Sequence, residues 1–231
     1  MSDRPAALML FAAGLGTRMG ALTADRPKPL IAVAGRPLID HALAVAEEAG
    51  IDRIVVNTHY RADQLAAHLA GRPGIRLSHE AGEVLETGGG LRHALPLIGA
   101  GPVFTMNTDA VWTGPNPLVT LARAWQPDRM DALLLTVPRD RATGHKGRGD
   151  FLRDPDGRLT PGPGDVYTGA QIIRTDRLER ITDRVFSLWR LWTEMIAEGR
   201  LYGVEHPGGW CDVGHPDAIP LAESLLAGAG P

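Results

Sequence analysis

A glycine-rich segment close to the N-terminus contains the first residues whose types and spacing could do chemistry. Gly14, Gly16 and Gly20 would let the backbone turn tightly and present unobstructed N–H groups to an anion. Arg18 lies within the segment, and Lys28 follows it between two prolines that restrict the backbone. One forked and one compact cation could therefore contact a polyphosphate from two sides.

The spacing of these glycines fits neither of two common phosphate-binding loops. The pattern Gly-x-Gly-x-x-x-Gly differs by one residue from the dinucleotide-binding fingerprint. No Gly-Lys-Ser or Gly-Lys-Thr follows, which excludes a Walker loop. A simple connection between two elements remains the alternative interpretation of the glycines alone.

Two aspartates in strand-like contexts are candidates for a metal site. Asp109 follows an apolar run, and Asp212 follows a second, shorter one. If both runs are strands that reach the same edge of a sheet, the two carboxylates point into one cleft. Such oxygen ligands suit Mg²⁺, which takes one or two carboxylates together with substrate phosphates. Alternatively, each aspartate caps a helix or shapes a turn.

The elements that must position these residues alternate along the first half of the chain. Strands are predicted over residues 7–13, 53–57, 75–79, 102–107 and 132–137, and helices over 38–49, 62–70, 90–97 and 118–125. Continuous apolar strands that alternate with helices are typical of a parallel sheet covered on both faces. We therefore expect a Rossmann-like, three-layer α/β/α fold with a mostly parallel central sheet.

The pattern changes after Pro138 and predicts a small β elaboration. A basic loop over 139–149 precedes a predicted hairpin over 150–160, strands over 166–173, 201–205 and 210–213, and helices over 188–197 and 218–226. No shift in composition and no internal repeat marks a boundary. One domain over residues 1–231 is therefore expected.

The composition excludes several classes of protein. Among 231 residues, 44% are hydrophobic and 22% are charged, and the formal net charge of −3 offers no footprint for nucleic acid. No apolar run reaches the ~18 residues that a membrane helix needs. The single cysteine, Cys211, excludes an internal disulfide and is expected to be a small apolar filler. The apolar run near the N-terminus continues into the glycine-rich segment, so we interpret it as a strand rather than a signal peptide and expect a cytoplasmic protein.

The order of the motifs resembles that of the sugar-1-phosphate nucleotidyltransferases. The matching segments, which span most of the chain, are AAGLGTRM at 12–19, PKPL at 27–30, GRPLI at 35–39, LETGGG at 85–90, NTD at 107–109, GRGDF at 147–151 and WCDVG at 210–214. The short length and the LETGGG and GRGDF runs look most like members that uridylylate N-acetylmuramate 1-phosphate. No C-terminal β-helix repeat is present, so a bifunctional member is not expected.

The resemblance implies a reaction, a cofactor and a set of site residues. The reaction is uridylyl transfer from UTP to N-acetylmuramate 1-phosphate with Mg²⁺, which yields UDP-N-acetylmuramate and pyrophosphate for peptidoglycan recycling. The implied catalytic residues are Arg18, Lys28, Asp109 and Asp212, of which Asp109 and Asp212 bind the metal. The implied nucleotide-binding residues are Ala13, Gly14, Gly16, Thr17, Arg18, Lys28, Glu80, Gly82, Thr87 and Gly88, and the implied sugar-phosphate residues are Asn107, Asp150 and Gly169. The nucleotide would bind in about residues 1–138 and the sugar phosphate in about 139–231.

Several interpretations stay open at this point. Thr108 stands where the family usually has glycine, and its side chain could narrow the approach of the sugar phosphate. Thr87 could instead be a helix N-cap. His145, Lys146 and Arg148 could clasp the lactyl carboxylate of N-acetylmuramate, or they could be solvated surface.

Two kinds of alternative function stay open. One has the same reaction with other substrates, and the other has no catalytic activity. A mannose 1-phosphate guanylyltransferase or a glucose 1-phosphate thymidylyltransferase would use the same reaction with other substrates. A regulatory subunit that only binds a nucleotide-sugar would be expected to lack some of the four catalytic residues. All four are present, which favours an enzyme with small-molecule substrates and without nucleic-acid or membrane partners.

Overall fold

A seven-stranded sheet forms the centre of the structure, a computed structural model in which residues 5–228 are described. Its strands are β1 (Leu8–Phe11), β4 (Ile54–Thr58), β5 (Ile75–His79), β6 (Pro102–Asn107), β8 (Ala132–Val137), β12 (Val166–Arg174) and β13 (Leu201–Glu205). The spatial order is β13-β8-β12-β6-β1-β4-β5. Only β12 runs antiparallel to its neighbours within this sheet, so the mostly parallel sheet that the sequence predicts is confirmed.

Three smaller sheets lie outside the central sheet. They are formed by β2 (Ala32–Val33) with β3 (Arg36–Pro37), by β10 (Phe151–Arg153) with β11 (Leu159–Pro161), and by β7 (Ala110–Trp112), β14 (Trp210–Asp212) and β9 (Ala142–Thr143). The antiparallel pair β10–β11 confirms the hairpin predicted over 150–160. The strand that carries Asp212 belongs to the three-stranded sheet rather than to the central one, in contrast to the simplest expectation of one shared edge.

Six helices complete the described part of the chain. They are α1 (Leu38–Glu48), α2 (Ala62–Leu69), α3 (Glu86–Ile98), α4 (Pro117–Ala124), α5 (Trp189–Ala197) and α6 (Ala218–Gly228). Short 3-10 helices occupy Thr17–Thr23, Lys28–Leu30, Arg139–Arg141 and Leu178–Arg180. The prediction that a helix begins at residue 90 is wrong, because α3 begins at Glu86 and includes three consecutive glycines whose low helix propensity conceals its first turn.

Alternate residues of β1 explain the layered packing. Leu8 and Leu10 face a core shared with α1, α2 and α4, whereas Met9 faces a second core shared with α3 and α5. All three side chains are fully buried, which contributes about 1.5–3 kcal/mol each relative to exposure. The expected three layers are therefore present, and the loops that follow the strands are left free to form a site. No helix within residues 5–228 has the length and apolar character to cross a bilayer.

Candidate active site

A cleft of about 270 Å³ opens at the carboxyl ends of β1 and β6. This is the edge at which parallel α/β sheets bind ligands. Its walls are the segments that follow the two strands, a turn that carries Lys28, and the start of α3. Of the residues predicted from sequence, the cleft is lined by Ala13, Gly14, Gly16, Thr17, Arg18, Lys28, Thr87, Asn107 and Asp109.

The glycine-rich segment forms a compact turn along one side of the cleft. Gly16 has a φ of +65°, and a Cβ atom there would lie 2.9 Å from Thr23 Cγ2 and 3.0 Å from Lys28 Cβ. Thr23 Oγ1 donates to the carbonyl oxygens of Gly16 and Gly20, each over 3.1 Å. At Gly14, in contrast, a Cβ atom would meet nothing within 4 Å. The backbone is therefore accessible at Gly14, whereas at Gly16 it is packed closely against Thr23 and Lys28.

Lys28 and Asp109 form an ion pair within the cleft. The distance between Lys28 Nζ and Asp109 Oδ2 is 2.6 Å, and the two side chains are 11% and 25% exposed. Lys28 begins a 3-10 turn between Pro27 and Pro29, so its backbone position is restrained as the sequence predicts. Asp109 is the second residue after the end of β6.

Asp212 reaches the same place from a different sheet. β14 pairs with β7, which begins immediately after Asp109, and Asp212 is in register with Ala110. In addition, Val213 N donates to the Asp109 carbonyl oxygen over 2.8 Å. The two carboxylates are thus brought together by strand pairing outside the central sheet.

Charged neighbours of both signs act on the carboxyl group of Asp212. Burial and then the like charge of Asp109 raise the pKa of Asp212, while Lys28 and Arg18 oppose the rise. At Gly214 a Cβ atom would lie 2.9 Å from Asp212 Oδ2 and 3.2 Å from Arg18 Nη1, so this glycine lets the guanidinium approach the carboxylate.

The donor set fits a hard divalent cation that shares its coordination with a substrate. Two neighbouring carboxylates supply the oxygen ligands that Mg²⁺ takes alongside phosphates and waters. No group of three or more His, Cys, Asp or Glu side chains that could hold a metal ion occurs within residues 5–228. Asp109 and Asp212 therefore suit an ion whose remaining ligands come from elsewhere.

The residues predicted to contact the nucleobase lie partly behind the cleft wall. Glu80 is 2% exposed, and its two carboxylate oxygens accept from Asn57 Nδ2 and Leu85 N. Gly82 has a φ of +86° and open space around it. The backbone N–H of Gly88 donates to the Phe186 carbonyl oxygen, and the Phe186 ring leaves no room for a Cβ at this glycine.

Thr87 lines the cleft and is also anchored. Its hydroxyl oxygen accepts from Leu188 N over 3.0 Å. The alternative interpretation of Thr87 as a helix N-cap is wrong, because α3 begins one residue earlier and its N-cap is Leu85. Close packing against the segment that precedes α5, rather than capping, determines the conformation here.

The residues predicted to contact the sugar phosphate form a small cluster around β12. Asn107 lines the cleft, while Gly169, with a φ of +88°, would place a Cβ 2.8 Å from Asn107 Nδ2. Asp150 Oδ2 accepts from Tyr167 N over 2.9 Å and so braces the strand beside that glycine. Thr108 is 4% exposed and its hydroxyl donates to the Phe11 carbonyl oxygen over 2.9 Å, which directs it toward β1.

The middle of the basic loop packs beside Asp212. The backbone at Gly144 packs against the Asp212 carbonyl group so closely that a Cβ would not fit. Lys146 and Arg148 are exposed further along the loop, and Arg139 Nε donates to the Gly147 carbonyl oxygen over 2.5 Å.

Asn57 and Gly214 are among the cleft residues that the prediction based on sequence does not include. A polar residue at the carboxyl end of an apolar strand was the available signal for Asn57. Gly214 belongs to the WCDVG segment, whose aspartate alone drew attention. Cys211 is fully buried, as expected of an apolar filler, and burial raises the pKa of its thiol to about 12.

Comparison with known proteins gives consistent similarities across the chain. Residues 8–219 match the model of the MobA-like NTP transferase domain. The chain is 42% identical to N-acetylmuramate alpha-1-phosphate uridylyltransferase of Caulobacter vibrioides, covering 99% of this chain and 100% of the relative. It is 33% identical to the protein of the same name from Neisseria meningitidis serogroup B, covering 96% and 98%. The crystal structure of HddC from Yersinia pseudotuberculosis complexed with GMP-PN shares the fold, with a TM-score of 0.75 at 20% identity over 95% of this chain and 99% of that chain.

Proposed function

The chain belongs to the MobA-like NTP transferase family, and from that membership we propose that it transfers a uridylyl group from UTP to N-acetylmuramate 1-phosphate. The products are UDP-N-acetylmuramate and pyrophosphate. The choice of substrates rests on the two relatives named for this activity, which match nearly the full chain. The proposed setting is cytoplasmic peptidoglycan recycling.

The observation that carries the proposal is that three charged side chains, Arg18, Lys28 and Asp109, line one cleft beside the glycine-rich turn, with Asp212 next to them. Lys28 pairs with Asp109, and Arg18 lies beside Asp212. Because the acceptor phosphate is already anionic, the reaction needs no general base. Catalysis then consists of bringing two anions together with the attacking and leaving oxygens in line. It also requires that the charge on the phosphoryl group be stabilised during the transfer.

The glycine-rich turn and its arginine bind the triphosphate in this proposal. The backbone N–H groups from Gly14 to Thr17 contact the phosphates, since the space beside Gly14 is open. Arg18 stabilises the charge that develops on the leaving pyrophosphate, because a guanidinium offers two parallel donors to phosphate oxygens.

Lys28 serves the phosphates that react. The two flanking prolines restrain its backbone, and its ammonium group pairs with Asp109 within the cleft. It contacts the α-phosphate of the nucleotide and the incoming sugar phosphate, and it exchanges its partner Asp109 for these anions as the substrates bind.

Asp109 and Asp212 hold Mg²⁺ in this proposal. When bound, the ion supplies charge neutralisation and alignment for the phosphoryl transfer. The two aspartates keep their mutual distance through the β7–β14 pairing, and the protein thereby preforms the carboxylate pair.

The remaining contacts decide which nucleotide and sugar are used. In this proposal Thr87, which lines the cleft, and the backbone around Gly82 contact the nucleobase, and Asn107, with Gly169 beside it, contacts the sugar phosphate. Lys146 and Arg148 are available for the lactyl carboxylate of N-acetylmuramate, because they are exposed and follow Gly144, which packs beside Asp212.

A substrate grid tests the function. Pyrophosphate release with Mg²⁺ is measured for UTP, dTTP, GTP, CTP and ATP against the 1-phosphates of N-acetylmuramate, N-acetylglucosamine, glucose and mannose. We expect release with UTP and N-acetylmuramate 1-phosphate well above every other combination. Release mainly with GTP and mannose 1-phosphate, or with dTTP and glucose 1-phosphate, would keep the chemistry and reject the substrates. Nucleotide binding without any release would reject an enzyme in favour of a binding subunit.

A further inference from the structure

The side chains of Asn57 and Glu80 form a buried pair at the back of the cleft. Asn57 Nδ2 donates to Glu80 Oε1 over 2.7 Å. The two residues are 3% and 2% exposed, so the hydrogen bond is shielded from water. A buried carboxylate is costly unless hydrogen bonds satisfy its oxygens, which makes the partners of this pair informative.

The outer atoms of the pair hold two different loops. Asn57 Oδ1 accepts from Ala12 N over 2.6 Å and from Ala13 N over 3.3 Å, where the glycine-rich turn begins. Glu80 Oε2 accepts from Leu85 N over 2.8 Å, where the nucleobase-side loop leads into α3. One chain of hydrogen bonds therefore connects the backbones of the two loops.

The third glycine of the LETGGG segment lets α3 pack directly on this pair. A Cβ atom at Gly90 would lie 2.7 Å from Glu80 Oε1 and 3.1 Å from Asn57 Nδ2. The carboxylate consequently lies beside the first turn of a 13-residue helix, whose dipole favours a negative charge at that end. The helix, the carboxylate and the amide form one interlocked unit.

We propose that Asn57 and Glu80 are positioning residues. They hold the glycine-rich turn and the nucleobase-side loop before α3 at the distance from each other that one nucleoside triphosphate spans. The inference rests on the proposed function in that it takes the cleft as a nucleotide site. Glu80 acts through the backbone rather than as a ligand of the base, because it is buried and both oxygens already accept hydrogen bonds.

The polarity of the pair allows a sharp test. In Glu80→Gln, an amide NH₂ group replaces one acceptor and must face either the Asn57 NH₂ group or the Leu85 N–H, so two donors oppose each other. In Asn57→Asp, the new carboxylate faces the Glu80 carboxylate. The double variant Asn57→Asp/Glu80→Gln restores a donor opposite an acceptor at every position and moves the charge across the pair.

The experiment compares the wild type, both single variants and the double variant. For each we measure the Kd of UTP by calorimetry, the KM of UTP and of N-acetylmuramate 1-phosphate, kcat, and the melting temperature. Each single variant is expected to weaken UTP binding about tenfold, as an unsatisfied buried polar group would. The KM for the sugar phosphate should change much less, and the double variant should recover most of the UTP affinity.

Two outcomes would overturn the proposal. One is a double variant that binds UTP no better than the worse single variant. The other is a pair of single variants that lower the melting temperature and leave UTP affinity unchanged, which would make the pair merely structural. Asp131→Asn is the control, because Asp131 is a buried carboxylate at the opposite end of the sheet and should affect stability alone.

A further variant covers the case in which a single variant fails to fold. Gly90→Ala adds a methyl group against the pair and removes neither member, so it should also weaken UTP binding. Unchanged UTP affinity in a folded Gly90→Ala protein would contradict the proposal. Because UTP binding is measured without the sugar phosphate, an enzyme that binds UTP and fails to transfer it would reject the proposed function and still test the pair. If the substrate grid identifies another nucleotide, that nucleotide replaces UTP.

Discussion

At the scale of single residues, like and opposite charges balance each other within a few ångströms. Lys28 Nζ lies 2.6 Å from Asp109 Oδ2, and the charge of Asp109 helps to raise the pKa of Asp212. Without Lys28 and Arg18, the two carboxylates would repel each other more strongly, because their partly buried site screens charges poorly. Charges of both signs are therefore held close together at the cleft.

Replacement of Asp109 with asparagine should abolish turnover and preserve the fold. The variant loses one of the two proposed metal ligands and the anionic partner of Lys28, so a fall in kcat of about 10²–10³-fold is expected. The measurement is Mg²⁺-dependent pyrophosphate release together with circular dichroism. Asp25→Asn is a matched control, since that carboxylate is exposed and follows the same glycine-rich turn. Turnover near the wild-type value would contradict the metal assignment.

Replacement of Asp212 with asparagine should make the metal-free protein more stable at neutral pH while it removes activity. Folding raises the pKa of this carboxyl group, so its ionised form is less favourable in the folded than in the unfolded chain. Stability is therefore lost as the pH rises from the unfolded pKa through the raised folded pKa, and the asparagine variant avoids that loss. Thermal unfolding in EDTA should show a higher melting temperature than the wild type at pH 7, and the difference should shrink in acid. An equal or lower melting temperature at pH 7 would contradict the prediction.

At the scale of elements, two turns and one strand pair assemble the cleft. The glycine-rich turn is closed by Thr23, whose hydroxyl holds the carbonyl groups of Gly16 and Gly20. The pairing of β14 with β7 brings Asp212 to Asp109, and neither strand exceeds three residues. Such short elements keep their geometry only because larger ones pack around them.

A methyl group at Gly16 should destabilise the glycine-rich turn, whereas one at Gly14 should leave the fold unchanged. Gly16→Ala meets a positive φ and contacts with Thr23 and Lys28, so we expect a loss of about 1–3 kcal/mol in the free energy of unfolding. The KM for UTP should rise as well, since Lys28 is displaced. In Gly14→Ala the added methyl group has open space, so stability should stay within about 0.5 kcal/mol of the wild type. Denaturant unfolding measures the stability of both variants, and initial rates give their KM for UTP. Equal stability of the two variants would contradict the argument.

At the scale of the whole molecule, the charged residues of the cleft and a second charged cluster lie at opposite ends of the central sheet. Asp131 directly precedes β8, is 7% exposed, and forms ion pairs with Arg177 and Arg200. Arg177 also pairs with Glu198, which connects the cluster to the end of α5. This network joins β8, β12, β13 and α5 away from the cleft.

Loss of the Asp131 carboxylate should therefore reduce stability without an effect on catalysis. In Asp131→Ala, partly buried arginines lose their shared partner, and breaking such a cluster costs about 3–5 kcal/mol. Denaturant unfolding should show this loss, while kcat and both KM values at 20 °C should stay close to those of the wild type. A large change in KM would show that the two ends of the sheet are coupled and would contradict their independence.

The elements of the central sheet were the most predictable features of the fold. The strands over 75–79, 102–107, 132–137 and 201–205 match the structure at both ends, because each is an apolar or alternating run bounded by turn residues. The start of α3 was mispredicted, since Gly88, Gly89 and Gly90 read as a loop by propensity alone. Their place in a helix depends on tertiary neighbours that leave no room for side chains.

The sequence by itself determined the fold class, the glycine-rich turn and the identity of the charged residues, because local periodicity and residue chemistry are short-range properties. Only the tertiary structure decided how Asp212 reaches Asp109 and which polar residues lie behind the cleft. The first depends on the pairing of two three-residue strands far apart in the chain, and no local pattern encodes such a contact. The second depends on packing, because α3 lies against Glu80 and Asn57. The sequence predicts Glu80 as a nucleotide ligand, but its carboxylate is buried and accepts hydrogen bonds from Asn57 and Leu85 instead.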